Sequence, residues 1–196
     1  MRSLQFLLVI LAALGLTGCA SKFKTYDGPE VTSVVVNKEA RKMYLLHHEE
    51  VLKDYQISLG FAPTGHKSIE GDGRTPEGTY VIDRRNPNSK FHLSIGISYP
   101  NQDDIAAAKA LGKSPGGDIF IHGRPKKWRN GVDDWTWGCI AVTDREIEDI
   151  YAMVRNGQPI TIRPSGRISF PSPLSTRSFR VIPETTRLQC SAPRGS

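Results

Sequence analysis

Short apolar runs with a two-residue period dominate the middle of the chain. Residues 32–37 (TSVVVN) are β-branched and apolar, and residues 42–47 (KMYLLH) and 51–59 alternate as strands with one buried face do. Polar residues 38–41 and 48–50 separate them at hairpin spacing, so the three predict a β-meander. Gly71-Asp72-Gly73 and Thr75-Pro76 are turn chemistry. Further strands are expected at 78–83, 91–97, 118–122 and 160–163, with 118–122 apolar enough to be buried. Only two stretches carry a helical signal. One is 103–111, with its Ala run; the other is 144–154, where Ile147, Ile150, Tyr151 and Val154 share a face and acids lie near the start. The pattern predicts a mainly β fold, a sandwich or barrel with one or two short helices, and no internal repeat.

Both ends break this pattern. Residues 1–19 hold one Arg, an apolar run and small closing residues, the layout of a secretory signal, and they are too short to read as a spanning helix. Leu16-Thr17-Gly18-Cys19 resembles the lipobox of bacterial lipoproteins. That resemblance implies cleavage before Cys19, acylation of its sulfur and a stable membrane anchor, because several acyl chains hold where one does not. The alternative is an ordinary signal with a coincidental Cys; either way the expected location is the periplasm. Ala20 follows the anchor where the lipoprotein family associates Asp with inner-membrane retention, which points to the outer membrane. Residues 20–30, with Gly28-Pro29, read as a tether, and 31–163 as the folded body. Residues 164–196 are rich in Pro, Ser, Thr and Arg with isolated apolar positions such as Phe170 and Phe179, and are expected to be a disordered basic tail.

A chain of 196 residues has room for one core of this kind. Three Cys are too few for a disulfide-stapled scaffold, and a mean hydropathy of -0.35 fits a soluble body. The net charge of +6 suggests nucleic acid until it is located. Arg2 supplies one positive charge, and residues 163–196, with six Arg and one Glu, supply five, so residues 20–162 are electroneutral. A nucleic-acid reader concentrates its cations on the folded face, and no such partner is expected here.

The candidate chemistry lies within 118–151. His122 ends an apolar strand and precedes Gly123; a Gly- and Trp-bearing loop then leads to Gly138-Cys139 and another apolar run. A thiol attacks a carbonyl as thiolate, so a catalytic Cys needs an imidazole to take its proton and backbone N–H groups to hold the oxyanion. Gly138 permits a tight turn whose amides converge. Residue types alone leave other readings open: Cys139 as a buried structural thiol, or as a disulfide partner of Cys190. A metal site is not expected, since no CxxC or HxxxH occurs and His66 and His92 are scattered. His47-His48 falls at a hairpin and is expected to face solvent.

His-Gly, a loop, and then T-x-G-C-I resembles the catalytic signature of the L,D-transpeptidase (YkuD-type) family. Arg74 to Tyr80 (RTPEGTY) is similar to that family's K/R-T-P-x-G-x-F/Y segment, and Phe91 to Asn101 and Trp135 to Tyr151 are similar to a branch from Gram-negative envelopes. The resemblance covers roughly residues 31–163 in three ordered motifs. It implies an L,D-transpeptidase-like fold and a cysteine acyltransferase acting on peptidoglycan stem peptides through a thioester. Residue by residue, it implies Cys139 as nucleophile, His122 as general base and Gly123 as the carbonyl that orients it. Amides of Trp137, Gly138 and Cys139 would form the oxyanion hole, with His92, Arg124, Trp135 and Thr136 toward substrate. No cofactor is implied, and a monomer is expected. The family's S/T-H-G-C-x-R form carries a second His and an Arg where this chain has Trp137 and Ala141. The absent Arg bears on binding the anionic stem and on transfer against hydrolysis, and Arg124, Lys126, Lys127 and Arg129 are the candidate replacements. Hydrolysis of the same thioester and a non-catalytic murein-binding role are the rival readings.

Overall fold

The computed structural model describes residues 21–124, 134–166 and 181–183. The signal segment with Cys19, the loop residues Lys126, Lys127, Trp128 and Arg129, and Cys190 lie outside the described residues.

The meander forms as the alternation requires: Ser33–Asn37 (β2), Lys42–His47 (β3) and Glu50–Gln56 (β4) pair antiparallel in sequence order. Arg41 and His48 take positive φ at the two turns. Gly78–Asn86 (β5), Ser94–Ile97 (β6) and Phe120–His122 (β7) follow antiparallel to one another, then Ile140–Ala141 (β8) and Pro159–Arg163 (β9). The eight strands make one curled sheet in the order β4-β3-β2-β9-β5-β6-β7-β8, with β2–β9 and β7–β8 parallel. The expected strand at 51–59 ends early for a physical reason. Beyond β4 the chain leaves the meander and its backbone bridges the far edge, Ser58 to Ala141 and Gly60 to Thr136, which curls the sheet back on itself. That return brings the ends of β4 and β8 together.

Ile82, Ile95, Ile97, Ile121, Ile140 and Ile160 are fully buried inside the curl with Val34, Val36, Met43 and Leu45 of the meander. Each such side chain contributes about 1.5–3 kcal/mol relative to exposure. Helix Gln102–Ala110 (α1) starts at a capping box between Asn101 and Asp104, and Asp144–Met153 (α2) at one between Thr143 and Glu146. The latter buries Ile147, Ile150 and Met153 against the sheet. No helix among the described residues is long and apolar enough to cross a membrane.

Two expectations need correction. Residues 20–30 are not simply a tether, nor 164–196 wholly disordered: Lys24–Tyr26 (β1) pairs antiparallel with Val181–Pro183 (β10) in a separate two-stranded ribbon. Lys24 ties the ribbon to α2 through Glu148 and Asp149 at 3.1 and 2.7 Å. Strands this short carry no period, and their pairing is set by a partner at the other end of the chain. The strand expected at 91–97 begins at Ser94, because His92 stands at φ +73°, outside extended backbone, and Leu93 N–H turns back to the Phe91 carbonyl at 2.9 Å.

Candidate active site

The apolar runs around Ile121 and Ile140 drive β7 and β8 into the core as parallel neighbours, with Ile121 opposite Ile140 and His122 opposite Ala141. Cys139, one residue before β8, and His122, the last of β7, therefore open into one cavity of about 420 Å³, lined also by Phe91, Ser94, Asp118 and Phe120. Residues far apart in sequence are brought together by this register alone.

The imidazole is buried and held on three sides. Its Nδ1 lies 2.7 Å from the Gly123 carbonyl, which can only accept, so Nδ1 carries the proton and Nε2 is left as the basic nitrogen. Phe91 stacks on the ring at 4.4 Å and Trp135 meets it edge-on at 5.7 Å. Burial pushes the His122 pKa down to about 4, against the opposing pull of the Gly123 carbonyl. Gly123 packs so closely that a Cβ there would lie 2.6 Å from Asp144 Oδ1 and 2.8 Å from the Phe91 carbonyl.

Cys139 is a half-buried free thiol whose S–H donates to the Asp118 carbonyl at 3.5 Å. Burial pushes its pKa up and Asp118 adds to that, while the Phe120 backbone, Lys67 and Arg84 pull the other way. At neutral pH the resting pair is thus neutral thiol and neutral imidazole.

The turn before the thiol is closed by Thr136, which is buried: its hydroxyl donates to the Cys139 carbonyl at 2.7 Å and accepts from Gly138 N–H at 3.1 Å. Thr136 therefore holds the Gly138 amide, one of the three expected at an oxyanion hole, and closes the turn that carries Trp137 and Cys139. Gly138 sits at φ +121°, and a Cβ would come 2.5 Å from the Arg74 carbonyl. The RTPEGTY segment therefore stands as a backbone wall behind the turn that leads to Cys139. Thr75, fully buried, accepts from Gly60 N–H at 3.1 Å through its hydroxyl and from Lys38 Nζ at 2.8 Å through its carbonyl.

His92 pairs through Nε2 with Glu148 Oε1 of α2 at 2.8 Å, so its ring faces the helix. Trp135 packs on the imidazole. Trp137, 70% exposed, is braced edge-on by Phe61 at 4.9 Å. It borders a second cavity of about 530 Å³, shared with Lys67, Glu70, Asp118 and Cys139, so the thiol stands between two openings. Arg124 donates from Nη2 to Ser58 Oγ at 2.6 Å, and Ser58 bridges Ala141. Among the described residues no group of three or more His, Cys, Asp or Glu is placed to hold a metal ion.

Sequence reasoning missed the residues that lock the site from behind. Asp134 accepts Leu59 N–H at 2.8 Å and takes Arg41 Nη2 at 2.6 Å, fixing the chain entry to Trp135. Lys38, buried, donates to the carbonyls of Gly65 and Thr75 and to Glu77 Oε1. Asp144 accepts Arg124 N–H at 3.0 Å. Only the last had a signal, the Thr143-to-Glu146 capping pattern, and that marked a helix start without its partner.

Comparison with known proteins gives the family. The L,D-transpeptidase catalytic domain (YkuD) model matches residues 32–162. The chain is 30% identical over 122 residues to "Putative L,D-transpeptidase YafK" of Escherichia coli (strain K12), covering 61% of this chain and 44% of that protein. It is similar to the helical cell shape determining protein Pgp2 of Campylobacter jejuni, at 27% identity and a TM-score of 0.56 over 74% of this chain and 51% of that one. Bd1075 of Bdellovibrio bacteriovorus shares the fold at 23% identity and a TM-score of 0.50, over 74% of this chain and 53% of that one. The chain spans about half the length of these relatives. With a family model covering the whole curled sheet and its two helices, the chain belongs to the L,D-transpeptidase catalytic domain family.

Proposed function

We propose that the protein is a cysteine-dependent L,D-transpeptidase acting on peptidoglycan stem peptides. The observation that carries this is the shared cavity of Cys139 and His122, with Nδ1 of the imidazole committed to a carbonyl and Nε2 left as the base. Cys139 Sγ attacks the carbonyl of the L-centre residue in a tetrapeptide stem as Nε2 takes the thiol proton. The tetrahedral oxyanion is met by the Trp137 and Cys139 amides, one such donor being worth about 3 kcal/mol of barrier. The C–N bond breaks, His122 returns the proton to the departing D-Ala amine, and a thioester remains. An amine acceptor then gives a cross-link or an attached protein, with His122 taking its proton and the Cys139 thiolate leaving.

Water in place of the amine is the second reading, giving an L,D-carboxypeptidase or endopeptidase. It is favoured by one feature: Ala141 stands where the family motif carries Arg, and the guanidinium of Arg124 is tied to Ser58. The cell-shape role of Pgp2 supports a task in wall remodelling. The signal-like leader supports a periplasmic protein anchored through Cys19 in the outer membrane. Purified protein incubated with disaccharide tetrapeptide and a D-amino acid, followed by mass spectrometry, tests the proposal. Exchange product means transfer, and shortened stem alone means hydrolysis. Thioester adduct or product persisting in Cys139→Ala refutes both.

A further inference from the structure

We propose that Lys22, on the N-terminal arm, is a positioning residue for His122: its ammonium clamps both ends of the wall that carries Phe91 and so holds that ring on the imidazole. Lys22 Nζ donates to the Pro87 carbonyl at 2.6 Å and to the His92 carbonyl at 3.2 Å. The segment between them supplies Asn88, Ser89, Lys90 and Phe91 to the catalytic cavity. Its far end is in the left-handed region at His92, a conformation that persists in a non-Gly residue only when its surroundings hold it. Two contacts do so: Lys22 on the His92 carbonyl and Glu148 on the His92 ring, at 2.8 Å. Glu148 in turn pairs with Lys24 of the same arm at 3.1 Å.

The wall touches the catalytic base directly and again through Gly123. Phe91 stacks on the His122 ring, and the Phe91 carbonyl accepts Gly123 N–H at 3.1 Å, the residue whose own carbonyl orients Nδ1. A cation beside two neutral carbonyls and a strained turn therefore controls how dry and how fixed the imidazole is. The arm does more than lead into the fold; it completes one side of the site.

The consequence is read on the resting protein, so it stands or falls separately from the thioester assay, although its meaning for rate rests on His122 being the base. The titratable and charged groups facing His122 are Lys90 from the wall, Asp118 and Cys139 from the cavity, and Asp144 from the N-terminus of α2. All are unchanged when Lys22 is replaced. In the full chain with Lys22→Met, the imidazole proton resonance of His122 followed by NMR against pH should titrate about one pH unit higher, moving toward the ordinary 6.5 as water reaches the ring. Lys22→Arg should restore the parent midpoint. Lys53→Met removes another cation of the same α2 cluster, paired with Asp149 at 3.0 Å, and should lower Tm without moving the midpoint. Coincident midpoints in Lys22→Met and the parent overturn the proposal, as does an equal shift in Lys53→Met, which would mean general loosening. If Lys22→Met does not fold, Glu148→Gln, which frees His92 from the other side, is read by the same criterion.

Discussion

Gly138→Ala tests the site's architecture most directly, because two separable penalties meet at one atom. At φ +121° an Ala is strained by its backbone alone, at a cost of about 1–3 kcal/mol. Its Cβ would also lie 2.5 Å from the Arg74 carbonyl, which is backbone and cannot rotate away. Overpacking of this kind costs about 1–3 kcal/mol more. The sum, about 2–6 kcal/mol, corresponds to a fall in Tm of roughly 5–20 °C for a domain of this size. If the turn shifts to relieve the clash, the Trp137 and Cys139 amides move with it, and each misplaced donor costs about 10²–10³ in acylation rate. Gly157→Ala is the matched control: it has φ +93° with nothing within 4 Å of the added Cβ, so it should lose only about 1–3 kcal/mol and no activity. Thermal unfolding by circular dichroism and the rate of thioester formation by mass spectrometry read the two penalties. Equal Tm losses in the two variants, with acylation intact in Gly138→Ala, would refute the view that the Arg74 carbonyl wall fixes the nucleophile turn.

Other outcomes follow from the same geometry. The unfolded His122 imidazole binds its proton near 6.5 and the folded one only near 4, so between these values the unfolded state holds more protons. Its contribution to stability is complete above pH 6.5 and lost as the pH falls toward 4, on the order of 3 kcal/mol; His122→Gln should flatten that part of the urea-midpoint curve against pH. The raised Cys139 thiol should react slowly with iodoacetamide at pH 7 and speed up through alkaline pH, whereas a rate already at its plateau at pH 7 would mean a preformed thiolate. Lys38→Met leaves Glu77 and two carbonyls without their cation and should cost about 3–5 kcal/mol in chemical denaturation, with a loss below 1 kcal/mol contradicting a structural clamp.

What the amino-acid sequence determined by itself was everything that depends on near neighbours. The two-residue period placed β2, β3 and β9 to within a residue or two, and the helical signals at 103–111 and 144–154 fall on α1 and α2. Cys139, His122 and Gly123 could be named together as candidates because that signature is contiguous in sequence at each of its halves. Tertiary structure alone decided which groups meet across the curl. The β7–β8 register put thiol and imidazole in one cavity, and the return of Ser58 onto Ala141 and of Gly60 onto Thr136 closed the curl, with Arg124 bonded to Ser58. Long-range closure also assigned Thr136 to the turn, His92 to α2, and residues 24–26 to a partner strand at 181–183. The reason is physical: a local period reports which face of a segment is apolar, whereas a lysine or a backbone amide can bond to any acceptor in the chain. Which acceptor it meets is set by sheet register and closure, and those are properties of the whole packed core.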